Sequence, residues 1–189
     1  MPTVTDLCNN ALGQIGQSAI TAIDDGTPVA NICLRFFETV LKARLRSHRW
    51  NFATARAELA IVAPAPPFGY TYNHALPSDF IAMQEFNGEE DPVNFPYKIE
   101  GRLLLSNDAT VQIVYTRYED DPNIWDPLFF EGFELMMASR LAAAITHNMQ
   151  LSGEKFIEGR DILSRGETID GQEGSLVPWE CTTLTTDVR

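Results

Sequence analysis

The stretch from Thr27 to Ala60 constrains the chain most. Thr27 can cap a helix N-terminus, and Pro28 suits the first turn, where a missing N–H has no partner to lose. A broad apolar face follows: Val29, Ile32, Cys33, Phe36, Phe37, Val40, Leu41 and Leu45. The pattern stops at Ser47-His48-Arg49-Trp50-Asn51-Phe52-Ala53, where Trp50 and Phe52 alternate and predict a switch from helix to strand. Arg35, Lys42, Arg46 and Arg49 recur at spacings of seven, four and three, which on a helix makes one basic stripe. Glu38 precedes Lys42 by four residues, the favourable order for an ion pair. The stripe reads in two ways. It is a solvated face whose last members offset the negative end of the helix dipole, or a contact surface for an acidic partner subunit.

Charge bears on the choice. The net charge of -12 is uneven: residues 1–60 hold six basic and five acidic side chains, residues 61–189 eight and twenty-one. Such an acidic chain is a poor binder of phosphate backbones, but it is suited to letting DNA pass without sticking. Acidity also serves solubility alone. Cys8, Cys33 and Cys181 are odd in number and far apart, with no zinc spacing, so free thiols in a reducing compartment are expected. Cys8 and Cys33 fall on apolar helix faces. No leader-like N-terminus and no long apolar run is present, so a cytosolic chain that spans no membrane is expected.

Around the central stretch, Thr3 and Asp6 form a capping box for a helix from Val4 to about Ile15, with Gly16 beyond its end. Ile20 and Ile23 in the following linker are expected to tuck beneath the helices. After Ala53 the chain turns to short strands: residues 52–62, the alternating Phe68-Gly69-Tyr70-Thr71-Tyr72, then Phe80 to Phe86. Asn87-Gly88 is a turn signal. Tyr97 to Leu105 reads as a hairpin, and Thr110 to Tyr118 as a further strand. Helical spacing resumes at Asp126-Pro127. Leu128 to Ile145 is apolar on more than one side and so is central. A last helix is expected from Lys155 to about Gly166, followed by a polar tail.

These elements predict an α+β fold: an antiparallel helix bundle built from both chain ends, with a small antiparallel β domain inserted. The boundaries are residues 1–50 with 123–166 for the discontinuous helical domain, 51–122 for the β domain and 167–189 for an extended tail. Trp50, Phe52 and Trp125 stand at the junctions and are expected to pack between the domains.

Motifs for chemistry do not emerge. Phosphate-loop, dinucleotide and nucleophile-elbow signatures are missing from the sequence, and His48, His74 and His147 form no metal-binding pair. Glu89-Glu90-Asp91 and Glu119-Asp120-Asp121 flank turns and do not match a calcium loop. No catalytic residue, cofactor or metal ligand is assigned, and an assembly role is the stronger class.

Several segments carry a resemblance. Leu7-Cys8-Asn9-Asn10-Ala11-Leu12-Gly13-Gln14-Ile15-Gly16 is similar to the opening of the tail tubular protein A family, the head-to-tail adaptors of short-tailed bacteriophages. The likeness continues through Ala43 to Ala53, Arg56 to Ala60, Tyr70-Thr71-Tyr72 and Leu76-Pro77-Ser78-Asp79-Phe80. It then takes in Ile99 to Leu104, Val114-Tyr115, Asp126-Pro127-Leu128-Phe129 and the helix from Ala138 to Ala144, roughly residues 4 to 150 in order. Position 49, often proline in related chains, is arginine here, so the long helix is expected to run slightly further. The resemblance implies a structural protein without a cofactor, assembled in the bacterial cytoplasm and carried in the virion tail. It implies a ring, typically a dodecamer, between the portal protein and the tail nozzle protein, with DNA passing through the lumen. Arg35, Lys42, Arg46 and Arg49 would then meet an acidic neighbour in a head-to-tail interface. Two other readings compete. Some tail proteins of this kind are held to degrade peptidoglycan, which here would need a carboxylate pair in a cleft. A DNA-binding module is disfavoured by the charge.

Overall fold

A computed structural model describes residues 1–89 and 96–173. Among them, four α-helices and two antiparallel sheets make a mixed α+β fold. The first helix, α1 (Val4–Gly13), opens with the expected capping box: Asp6 N–H donates to Thr3 Oγ1 at 3.1 Å, and Thr3 N–H to Asp6 Oδ2 at 2.9 Å. The linker after it is held by one side chain. Asn9 donates from Nδ2 to the Ile20 carbonyl at 3.1 Å and accepts the Ile20 N–H at 2.8 Å, as a neighbouring strand would. Ile20 and Ile23 thereby reach the core.

The long helix is α2 (Pro28–Ser47), capped by Thr27 through the Ala30 N–H at 3.2 Å. It does not run further: His48 is extended (φ -144°, ψ 158°) and Arg49 lies beyond the helix. Nor does a strand begin at once. Asn51–Ala53 make a single 3-10 turn before β1 (Thr54–Leu59). Six further strands follow: β2 (Ile61–Val62), β3 (Tyr72–Ala75), β4 (Phe80–Phe86), β5 (Lys98–Glu100), β6 (Leu103–Ser106) and β7 (Val111–Arg117). The sheets have strand orders β1-β7-β4 and β2-β3-β6-β5. The strand expected at Phe68 starts later, at Tyr72, because Tyr72–Ala75 has a ladder partner in β6 while Phe68 stands 84% exposed in a proline-rich loop. The Tyr97–Leu105 hairpin forms, with Glu100 opposite Leu103 across Gly101-Arg102. At Asn87-Gly88 both residues have positive φ, 50° and 83°, as a tight hairpin turn requires, and Phe86 and Glu89 exchange backbone hydrogen bonds across it.

Helix α3 (Pro127–Leu141) starts on the Asp126 cap and is buried over most of its surface, at Phe129, Phe133, Leu135, Met136, Met137 and Leu141 among others, with Glu131 and Arg140 exposed. A short π-helical segment, Ala142–Thr146, ends it. The last helix, α4 (Met149–Asp170), starts earlier than expected because Asn148 caps it through the Leu151 N–H at 3.0 Å. It also continues past Gly166 to Asp170, so the first residues of the expected tail are helical. Residues 174–189 lie outside the described residues, as does Glu90-Asp91 of the acidic turn.

Helices α1, α2 and α4 all pack on α3. One buried cluster joins the helices, and a second joins the two sheets through Leu59, Leu76, Phe86, Leu104, Val111, Ile113 and Tyr115. The closest approach is between α3 and α4. A Cβ on Gly132 would sit 2.6 Å from Leu163 Cγ, and one on Gly159 would sit 3.0 Å from the Gly132 carbonyl oxygen and 3.0 Å from Leu135 Cβ. Gly153, on the same helix, faces open space. Gly159→Val should therefore destabilise the fold by about 1–3 kcal/mol through overpacking. Gly153→Ala should stabilise it by up to about 1 kcal/mol through helix propensity. Urea unfolding of both variants checks the opposite signs.

Candidate functional site

The stop of α2 is where the structure brings the most sequence features together. Trp50 and Trp125 stand where the chain passes between helices and strands, and both are turned into the helical core. Phe129 on α3 gathers their rings: Trp50 at 4.9 Å, Phe52 at 4.9 Å and Trp125 at 5.1 Å between centroids. Trp125 also stacks on Phe37 of α2 at 6.4 Å. Aromatic pairs at such separations add to their burial. The two indole N–H groups are satisfied locally, Trp50 Nε1 by the Arg44 carbonyl at 3.2 Å and Trp125 Nε1 by the Glu119 carbonyl at 3.1 Å. The first of these answers one of the unpaired carbonyls at the end of α2.

A polar latch closes the same corner. Asp170, the last residue of α4, is 6% exposed. Its carboxylate accepts the Asn51 backbone N–H at 3.1 Å and lies 3.1 Å from His48 Nε2. Asn51 Nδ2 returns a hydrogen bond to the Asp170 carbonyl at 2.8 Å. The extended turn at His48 is what presents these donors to α4. The sequence pattern did not point to Asp170, because helical spacing fades at Gly166 and the residue stands beyond it. An aspartate near the end of a helix is also unfavourable to the dipole, so only a tertiary partner explains it there.

The basic residues divide. Lys42 pairs with Glu38 on its own helix and lies 5.4 Å from the centre of the Tyr118 ring. Arg46 Nη1 donates to the Ile81 carbonyl of β4 at 2.8 Å. These two therefore face the strands, and Lys42 lines a cleft of about 360 Å³ with Asp79, Phe80 and Arg102. Burial, then the charges of Asp120 and Glu38, push the Tyr118 phenol up to about 12, so it stays neutral at ordinary pH. Arg35 is exposed and makes no ion pair among the described residues. Arg49 leaves the stripe, since the helix ends at Ser47. Arg35, Lys42 and Arg46 thus form one exposed helix face, the latter two reaching toward the strands, and only Arg49 is corrected to a place outside the helix. Arg44 was missed. Two positions from Lys42, it points to the opposite face, toward α3 and α4.

Three further titratable groups are buried. His74 is fully buried in β3, with Nε2 3.0 Å from the Asp108 carbonyl oxygen. Cys8 and Cys33 are both buried free thiols; their mutual hydrogen bond and burial push the Cys8 thiol up. No group of three or more His, Cys, Asp or Glu placed to hold a metal occurs among the described residues, and no helix there is long and apolar enough to cross a membrane.

Asp170→Ala leaves the Asn51 N–H without its side-chain acceptor and should cost about 1–3 kcal/mol. Chemical denaturation checks this; a loss below about 0.5 kcal/mol, the range of ordinary surface changes, would contradict the latch. No protein-family model and no curated protein matches the chain.

Proposed function

We propose that this chain is a head-to-tail adaptor of a short-tailed bacteriophage, assembling as a ring between portal and tail nozzle through which the genome passes. In this reading, residues 1–50 and the helices after residue 123 form one bundle from both chain ends, with the strands inserted as a second domain. The observation that carries it is that the segments resembling the adaptor family meet one another in space. The Leu76–Asp79 turn is joined to Gly101-Arg102: Leu76 N–H donates to the Arg102 carbonyl at 3.1 Å, and the Arg102 guanidinium donates to the Pro77 carbonyl. Trp50 and Phe52 close on Phe129, and α1 packs on α3. A resemblance made of scattered short matches is more coherent when those matches build contacts with each other. The acidic surplus supports the same reading, because a conduit of like charge does not retain DNA.

The ring contact then runs through the exposed end of the helix stripe, at Arg35, against an acidic surface of the neighbouring copy. Lys42 and Arg46 serve the internal seam with the strands. Charge reversal separates the two roles. Arg35→Glu should slow ring assembly on portal particles, most strongly at low salt, with the melting temperature unchanged. Arg46→Glu should lower the melting temperature as well. Electron microscopy of portal–adaptor mixtures and thermal denaturation check both. Unimpaired rings with Arg35→Glu would remove this interface. Clearing of a peptidoglycan gel by the purified chain, abolished by a single carboxylate substitution, would favour the enzyme instead.

A further inference from the structure

Charge limits where two copies of this chain can touch. At a net charge of -12, its surface as a whole repels a second copy. One long segment is exempt. From Leu59 to Ser78 there is no Asp, Glu, Lys or Arg, the longest such run in the sequence. The run includes β2, β3 and the loop between them, which carries Pro64, Pro66, Pro67 and Phe68. After Met1, Phe68 is the most exposed large apolar side chain of the described residues. The loop is pinned near both ends. Asn73 Nδ2 donates to the Pro64 carbonyl at 2.7 Å, and the Thr71 N–H and hydroxyl both donate to Asn107 Oδ1 at 3.1 Å. Pro66 and Pro67 have fixed φ, so Phe68 is presented with little backbone freedom left to lose on docking. An aromatic ring held out in water in this way is the kind of side chain that anchors an interface.

A socket lies on the helices. Phe36 and Val40 of α2, Met136 of α3 and Phe156 of α4 line a cleft of about 220 Å³, whose walls also include Arg44 and Arg140. A cavity of about 150 Å³ takes a benzene ring, so the cleft has room for a phenyl side chain. The charges fit as well. The Glu167 carboxylate acts on Arg44, whereas Arg140 is exposed and makes no ion pair among the described residues. A guanidinium of this kind attracts the electron-rich face of an aromatic ring. An uncharged loop also brings no carboxylate toward Glu154 and Glu158, which flank Phe156 in sequence. We propose that Phe68 of one copy inserts into this cleft on a second copy, beside Arg140. At 84% exposure Phe68 does not fill the cleft of its own chain. The strands packed on α2, β4 and β7, lie in the other sheet from β2 and β3. Knob and socket are different patches, so the contact is heterologous, and repeating it closes a ring or runs on as a filament. The inference needs no portal and stands independently of the adaptor reading.

Sedimentation velocity of the full-length chain over a concentration series tests it. The unmodified chain should associate as concentration rises, and grow past the dimer. Phe68→Ser and Phe156→Ser should each weaken that association by at least about tenfold. Phe68→Ser changes an exposed loop residue outside both buried clusters, so its result does not depend on tolerance of a change in the core. Circular dichroism of Phe156→Ser verifies that its helices are intact. The sharpest arm is the equimolar mixture of the two variants. The Phe68→Ser copy keeps its socket and the Phe156→Ser copy keeps its knob, so the mixture should form a one-to-one dimer that grows no further. Association that survives either substitution would overturn the proposal, as would a mixture that stays monomeric. An unmodified chain that is monomeric at every concentration would also overturn it, and would leave Phe68 to a different protein.

Discussion

The helical core and both crossings to the strands are arranged around the aromatic cluster centred on Phe129. Four rings lie within 6 Å of its own, from Trp50, Phe52, Trp125 and Phe133. Trp50 and Phe52 mark where the chain leaves the helices for the strands, and Trp125 marks where it returns. Burying a ring of this size is worth about 1.5–3 kcal/mol, so the cluster fixes both crossings at once. The strands are thereby held at two closely spaced points of the helical core. Arg46 on Ile81 and Lys42 over Tyr118 then steady the seam between them.

The same corner shows how apolar and polar interactions divide the work. The rings supply burial but little orientation. The Asp170 carboxylate, the Asn51 amide and the His48 ring supply direction, because each needs its partner within hydrogen-bond distance. Glycine permits the approach: Gly166 lies against the Trp50 ring, where an added Cβ would come within 3.5 Å of it. The result is a joint fixed both by burial and by directed hydrogen bonds.

Much of this was legible in the residues. Thr3, Thr27 and Asp126 announced three helix starts because capping is local, and Asn87-Gly88 announced its turn for the same reason. The all-round apolar run from Leu128 predicted a central helix, and α3 is that helix. What was not legible depended on tertiary partners. The start of β3 at Tyr72 is decided by where β6 lies, and the end of α4 at Asp170 by the donors of Asn51 and His48. The basic stripe shows the limit of spacing as an argument. Arg35, Lys42 and Arg46 do share a helix face, but spacing cannot say that Arg46 reaches a strand carbonyl. Nor could it show that Arg44, on the other side, enters a cleft with Arg140.

The role proposed for this fold is assembly, with its exposed surfaces serving as contacts. The most direct test is native mass spectrometry of the purified chain alone and after mixing with the portal ring encoded in the same genome. The adaptor account predicts one discrete complex, carrying as many copies of this chain as the portal has subunits, that forms only when the portal is present. A chain that stays unbound beside an intact portal, or binds it in no fixed number, would contradict that account.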